Sequence, residues 1–388
     1  MENIYEKGIY ADLVRELSKK EIKMHVIFPS ERRSGSPTEL KTVNNIKLLK
    51  VKTGNITKTN IIEKGITTLT IERQFLKAVK KYFKDIHFDL ILYTTPPITF
   101  EKVISFLKIK NKCKTYLMLK DIFPQNAVDI DLLKSGSIIW KYFRSKEKKL
   151  YQISDMIGCM SEGNVQYLLD NNSFLHKSKI EVFPNSIEPV IIKAKRERNF
   201  REKYDIPQEA TLFVYGGNLG RPQGIDFLIN VIEEFHNVEN GHLFIVGSGT
   251  EYERLRNHIN SSKLTNVSLY SLLPKIEYDQ LLEVADVGLI FLDRRFTIPN
   301  FPSRLTSYME YSLPILAATD KHTDVREMLR QSECGLWTES GDINNFLENA
   351  KLFSDNITLR KVMGENGRVY LEKHFDIRKT VNIILKHL

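Results

Sequence analysis

The strongest constraint on the fold of this chain is an alternation that occurs twice. Apolar runs at 24–28, 46–51, 90–93, 115–119, 156–160 and 180–183 are mostly separated by helix-period stretches at 8–19, 69–84, 98–109, 137–152 and 162–169. Short apolar runs bounded by turn residues read as strands buried on both faces. Strands that alternate with helices build a parallel sheet covered on both sides. Residues 186–209 then turn polar and rich in Lys and Arg. Beyond them the alternation restarts, with strands at 212–215, 242–246, 267–270, 287–292 and 315–318. Helices are expected at 225–236, 251–260, 278–285, 303–311, 325–331 and 343–354, and two more, 358–373 and 378–388, close the chain.

The predicted fold class is therefore α/β, with two doubly wound Rossmann-like domains. Their ranges are 1–185 and 186–370, and a helix over 371–388 returns to the first domain. A length of 388 residues suits two such domains. Ligands of such sheets bind beyond the C-terminal strand ends, and the deepest site of a tandem is the cleft between its halves. The first sheet carries an anomaly. No strand is legible before the helix at 8–19, although a doubly wound sheet normally opens with a central strand. The expectation is that this strand lies upstream, leaving a gap in the sheet.

Composition removes several functional classes. Apolar residues make up 42% and charged residues 27%, which suits a globular core without staples. Cys113, Cys159 and Cys334 are scattered and form no CxxC pair, so neither a disulfide framework nor a zinc site is indicated. A reducing cytoplasm is the expected setting. The first 20 residues carry charges throughout and do not read as a secretion signal, and no run of 18 apolar residues occurs. The net charge of +9 suits phosphorylated substrates, anionic lipid or nucleic acid. Nucleic acid is disfavoured, because no aromatic platform or recognition helix stands out.

Three stretches carry chemistry. "FVYGGNLGRPQGIDFLI" starts at Phe213 and places glycines at a strand-to-helix turn. Glycine lets backbone N–H groups approach an anion, the following helix adds its positive dipole end, and Arg221 adds a guanidinium fork. The alternative is a tight turn with a surface arginine. "LFIVGSGTEYERL" supplies Gly247 and Gly249, but Tyr252 stands where a dinucleotide fingerprint needs a third small residue. "IPNFPSRLTSYMEYSLPILAATD" starts a helix at Pro302-Ser303. Ser303 is a good cap, whereas Arg304 in the first turn opposes the helix dipole unless a bound phosphate neutralises both. Ser303, Ser307 and Glu310 share one face, either solvated or turned to a ligand ribose.

Together with "LLPKIEYDQLLEVADVGLIFL", "CGLWTESGD" and "MGENGRVYLEKHF", these stretches resemble the nucleotide-sugar half of GT-B glycosyltransferases of the retaining family numbered four. The resemblance covers nearly the whole chain. It is greatest to bacterial enzymes that build capsule and O-antigen polysaccharides, of the N-acetyl-fucosamine transferase type, and "LKDIFPQNAVD" in the first half agrees. It implies that Gly217 and Asn218 lie against the donor phosphates and sugar, and that Arg221, Ser303 and Arg304 meet the diphosphate. Gly247 and Gly249 would wall the nucleotide, and backbone at Leu273 and Pro274 would read the base. It implies no metal or other cofactor beyond the UDP-sugar donor.

Departures accompany the resemblance. Gln223 stands where the family often has Lys, and Arg221 and Arg304 are expected to replace that cation. Pro299 and Ser307 stand where the family often has two glutamates, with Ser307 and Glu310 as substitute ribose contacts.

In the first half, Asp121 ends a strand and is a candidate to orient or deprotonate an acceptor hydroxyl. Gln125 and Asn126 are candidates for acceptor sugar hydroxyls, while Asp129 and Asp131 read as a solvated turn rather than a metal site. The stretch "SIIWKYFRSKEKKLYQIS" mixes aromatics with Lys and Arg, as a covering helix or a helix lying on a membrane surface would. The reading is a UDP-sugar-dependent glycosyltransferase acting on a polyprenyl-diphosphate-linked glycan, cytoplasmic and peripheral on the inner face of the cell membrane. A UDP-sugar epimerase and a non-catalytic partner in polysaccharide synthesis are the alternatives.

Overall fold

The computed structural model describes residues 4–56, 61–191, 199–262 and 264–388. The chain divides into two compact units, Met1–Glu188 with Asp376–Leu388, and Pro189–Phe375. The chain thus leaves the first unit at Glu188, three residues beyond the expected boundary, and re-enters it at Asp376.

In the first unit, α1 (Ile9–Ser18) precedes β1 (His25–Glu31), β2 (Glu39–Val43) and β3 (Ile46–Thr53). Next come α2 (Ile61–Tyr82), β4 (Leu90–Thr94), α3 (Glu101–Asn111), β5 (Lys114–Leu119) and α4 (Gln125–Asp129). The series continues with α5 (Ile138–Ile153), β6 (Met156–Cys159), α6 (Glu162–Asn171) and β7 (Ile180–Val182). Among the described residues these strands form two sheets, ordered β1-β3-β2 and β4-β5-β6-β7. No described strand joins β1 to β4. Helix α1 spans the discontinuity. Its Leu13 and Leu17 pack with Tyr116 and Met118 of the second sheet, and its Val14 packs with Phe28, Ile46 and Leu48 of the first.

Among the described residues, the second unit holds a single six-stranded parallel sheet, ordered β10-β9-β8-β11-β12-β13. It begins with α7 (Asn199–Lys203), β8 (Thr211–Asn218), α8 (Ile225–Glu234), β9 (Gly241–Ser248) and α9 (Tyr252–Ser262). Then follow β10 (Val267–Tyr270), α10 (Lys275–Val284), β11 (Val287–Phe291), α11 (Arg304–Glu310) and β12 (Ile315–Thr319). The last elements are α12 (Val325–Ser332), β13 (Gly335–Glu339), α13 (Ile343–Asp355) and α14 (Ile357–His374). Strand β8 is central and wholly apolar through Leu212, Phe213, Val214 and Tyr215, each without exposure. Ile225, Leu228, Ile232 and Phe235 place the expected stripe of α8 in the same core as Phe213 and Leu243. Full burial of each such side chain contributes about 1.5–3 kcal/mol.

The polar stretch at 186–209 is partly structured: it contains α7, and residues 192–198 lie outside those described. Helix α15 (Ile377–Leu385) lies back in the first unit, with Ile377, Val381 and Ile384 buried against Leu13, Leu17 and Phe183.

Candidate active site

The glycine run of β8 ends where the parallel sheet presents its C-terminal edge, and three elements supply side chains there. Helix α11 brings Arg304. Its guanidinium carbon lies 4.5 Å over the Tyr215 ring, and its Nη2 donates to Gln223 Oε1 at 2.9 Å. A Cβ on Gly217 would sit 3.2 Å from that Nη2, and Gly217 has a φ of +135°. Only glycine is at ease there, so the backbone meets the guanidinium directly. The Nη1 of Arg304 is shut off from solvent and has no hydrogen-bond partner. Desolvation works against its charge, but the phenol oxygens of Tyr215 and Tyr308 outweigh it and shift its pKa upward. A half-buried cation with a free, desolvated donor is a socket for an anion.

Two further tyrosines, absent from the sequence reading, build the socket wall. Tyr308 lies one turn beyond Arg304 on α11; its hydroxyl donates to Val214 O at 3.1 Å and accepts from Gly216 N at 3.3 Å. Tyr278, one turn into α10 from Pro274, has its hydroxyl 2.2 Å from where a Gly216 Cβ would stand. Leu273 and Pro274 thus sit at the start of the helix that closes on the glycine run. The signal for these tyrosines was present, since both face a glycine, but periodicity marks them only as core.

Gln223 gains a physical reason. Its Oε1 accepts from Arg304 and also from Tyr215 OH at 3.3 Å. A lysine there would press a second cation against the guanidinium.

The remaining expected residues divide. Arg221 stands apart from Arg304's partners. Its side chain is 56% exposed and its Nε is 3.7 Å from Glu251 Oε1. With Asp226, Arg254, Asp293 and Arg295 it lines a cavity of about 260 Å³. Arg254 is bound to Asp226 at 2.6 Å and Asp293 to Arg295 at 2.7 Å, so this cavity is nearly charge-balanced. Arg304, not Arg221, is the desolvated cation.

Gly247 and Gly249 serve backbone packing. Cβ atoms there would stand 1.9 Å from Gly217 O and 2.2 Å from Leu219 O. Asn218 is exposed, and its carbonyl accepts from Tyr215 OH at 2.7 Å.

On α11, Ser303 is exposed and makes no side-chain cap, contrary to the reading of a capping serine. Ser307 is half-buried. Glu310 is 3% exposed and accepts from Val190 N at 2.9 Å, so its carboxylate anchors the incoming chain. With seven residues in α11, its dipole adds little beside the guanidinium.

In the first unit, Asp121 follows β5. Its backbone N–H donates to Thr95 Oγ1 at 3.2 Å and its carbonyl accepts from the same hydroxyl at 3.1 Å. Asn126 Nδ2 donates to its Oδ1 at 2.6 Å. Burial pushes the Asp121 pKa up to about 6, against the lowering effect of Asn126 and the Ile122 N–H. That value lies in the range a general base needs near neutral pH. Asp121 and Asn126 are thus brought together, whereas Gln125 donates to Asp129 at 2.7 Å instead. Thr95, fully buried at the end of β4, is the positioning residue the sequence did not reveal.

Two Rossmann-like α/β units, the second carrying a glycine-lined guanidinium socket at its strand ends, define a tandem doubly wound α/β class of fold. Residues 196–370 match the family described as glycosyl transferases group 1. A Pseudomonas aeruginosa protein, described as the probable glycosyltransferase WbjE, is 23% identical over 280 residues. That match covers 72% of this chain and 68% of WbjE. Sucrose-phosphate synthase from Thermosynechococcus elongatus superposes with a TM-score of 0.74 at 15% identity, over 97% of this chain and 91% of the synthase. Anabaena Alr3699/HepE, solved in complex with UDP and glucose, gives 0.64 at 14% identity, over 88% and 86% of the two chains. The fold is GT-B.

Proposed function

We propose that this protein is a glycosyltransferase that moves a sugar, an N-acetylated amino sugar, from a UDP-sugar to a lipid-linked glycan in bacterial surface polysaccharide synthesis. The observation that carries the reading is the unpartnered Nη1 of Arg304, on a guanidinium whose Nη2 faces Gly217. A departing diphosphate, already anionic, gathers further negative charge as the glycosidic bond breaks, and a desolvated guanidinium stabilises that added charge more than it stabilises the less charged ground state. Asp121, with a pKa near 6 and its carboxylate held by Asn126, accepts the proton of the attacking hydroxyl. Retention of configuration belongs to the same proposal. So does independence from a metal, since guanidinium and amide groups hold the diphosphate.

A membrane-borne acceptor is supported by α5. Ile138 and Ile139 at its start are 87% and 59% exposed, and Tyr142 is 42% exposed, among the exposed Lys134, Lys141, Lys148 and Lys149. Exposed apolar side chains at the start of a helix that also carries exposed ammonium groups suit a peripheral site on anionic lipid. Among the described residues no helix is long and apolar enough to cross a membrane.

The test is a panel of nucleotide sugars scored by thermal protection, followed by UDP release with and without a lipid-linked acceptor. Protection by UDP-N-acetylhexosamines and acceptor-dependent release support the reading. Conversion of the UDP-sugar without acceptor would make the protein an epimerase, and binding without turnover a non-catalytic partner.

A further inference from the structure

A cavity of about 900 Å³ lies within the first unit, between β3 and α2. That is room for more than one sugar ring. Its charge is one-sided. Among the described residues, Arg32, Lys52, Lys77 and Lys81 line it, against Glu63 as the one carboxylate. Glu63 is already engaged: its Oε1 accepts from Arg32 Nη2 and from Asn55 Nδ2, both at 2.8 Å. Lys52, Lys77 and Lys81 form no ion pair among the described residues. Lys77 and Lys81 are one helical turn apart on α2, a like-charge spacing that disfavours the helix unless an anion comes between them. The Lys81 ammonium lies 5.0 Å from the Tyr82 ring, whose hydroxyl donates to Thr38 O at 3.2 Å.

The neutral lining is rich in hydrogen-bonding groups, through Thr53, Thr67, Thr70 and Gln74. Gln74 lies one turn before Lys77, and its Oε1 is shut off from solvent without a partner. Hydroxyl and amide groups in a concave site suit the hydroxyls of a saccharide. The uncompensated ammonium groups suit a phosphate or carboxylate attached to it.

We propose that this groove binds an anionic saccharide through Lys52, Lys77 and Lys81. Its role as the charged portion of the acceptor rests on the transfer reading above, but the binding itself does not. A phosphate and a uronic acid offer the same chemistry here, and the probes separate them.

The experiment is calorimetry on the full chain at low salt with glucose 1-phosphate, a glucuronate-containing disaccharide and a neutral disaccharide of equal size. It is repeated with Lys77→Ala/Lys81→Ala and with UDP. The expected result is that at least one anionic probe binds, and that the double variant weakens it tenfold or more while UDP affinity stays within twofold. Binding of the sugar phosphate alone assigns the groove to a phosphate-bearing ligand, and binding of the glucuronate alone to an acidic sugar. The proposal is overturned by three results: neither anion binds, the neutral disaccharide binds equally well, or the double variant binds as the parent does. Groove binding that persists in a protein with no affinity for UDP would sink the transferase reading and leave this one standing.

Discussion

Replacing Arg304 by alanine separates the cost of the guanidinium in the empty protein from its value to a ligand. In the empty protein the side chain carries one shielded donor without a partner, at a cost of about 1–3 kcal/mol. Against this stand the charged bond to Gln223, about 1.5–3 kcal/mol, and the stacking on Tyr215, about 0.5–2 kcal/mol. The balance favours the arginine by about 1–2 kcal/mol, so Arg304→Ala should lower the melting temperature by only a few degrees. With a diphosphate bound, the free donor is satisfied and the whole contact counts in favour, about 2–4 kcal/mol. The variant should therefore bind UDP about 30- to 900-fold more weakly. Calorimetry with UDP measures the affinity, and thermal unfolding without UDP checks the fold. A folded variant whose UDP affinity lies within threefold of the parent's would refute the socket.

Gln223→Lys tests the same geometry from the other partner: an ammonium beside Arg304 should lower the melting temperature at low salt, and added salt should restore part of the loss. Asp121→Asn should abolish acceptor-dependent turnover yet stabilise the protein at alkaline pH. The folded Asp121 pKa of about 6 lies above the ordinary 3.8, so the folded state holds the extra proton and its stability falls as pH rises through that window. Asparagine removes that penalty, a gain of about 2–3 kcal/mol at pH 8 that vanishes near pH 4. Denaturant unfolding at the two pH values measures it, and an equal change at both would contradict the assigned titration.

The alternation of apolar runs and amphipathic stretches was enough to place most strands and helices, because buried parallel strands are apolar on both faces. The elements it passed over lack that pattern. β2 reads ELKTV, pairs antiparallel at the sheet edge and stays half-exposed. β13, GLWTE, is likewise at an edge and half-exposed. In the site, the glycine run and Arg304 were legible because each defies its local preference. Gln223 was legible as a departure, but its reason lies 81 residues away in Arg304. Glu310 shares a helix face with Ser307 in the sequence pattern, yet it meets Val190, a partner that no spacing rule within α11 reveals. Tyr278 and Tyr308 were hidden for a similar reason: a tyrosine whose ring is core and whose hydroxyl serves the site reads as core alone.

Helix α15 has a consequence for biosynthesis. The wall that covers Leu13, Leu17, Tyr116 and Phe183 is encoded after everything in the second unit. While a ribosome is still emitting the second unit, the first has its strands but not its final cover, and it presents those side chains to solvent. Whatever shields that greasy surface during translation acts until α15 has been made, so a truncation that removes α15 should harm the first unit more than the second.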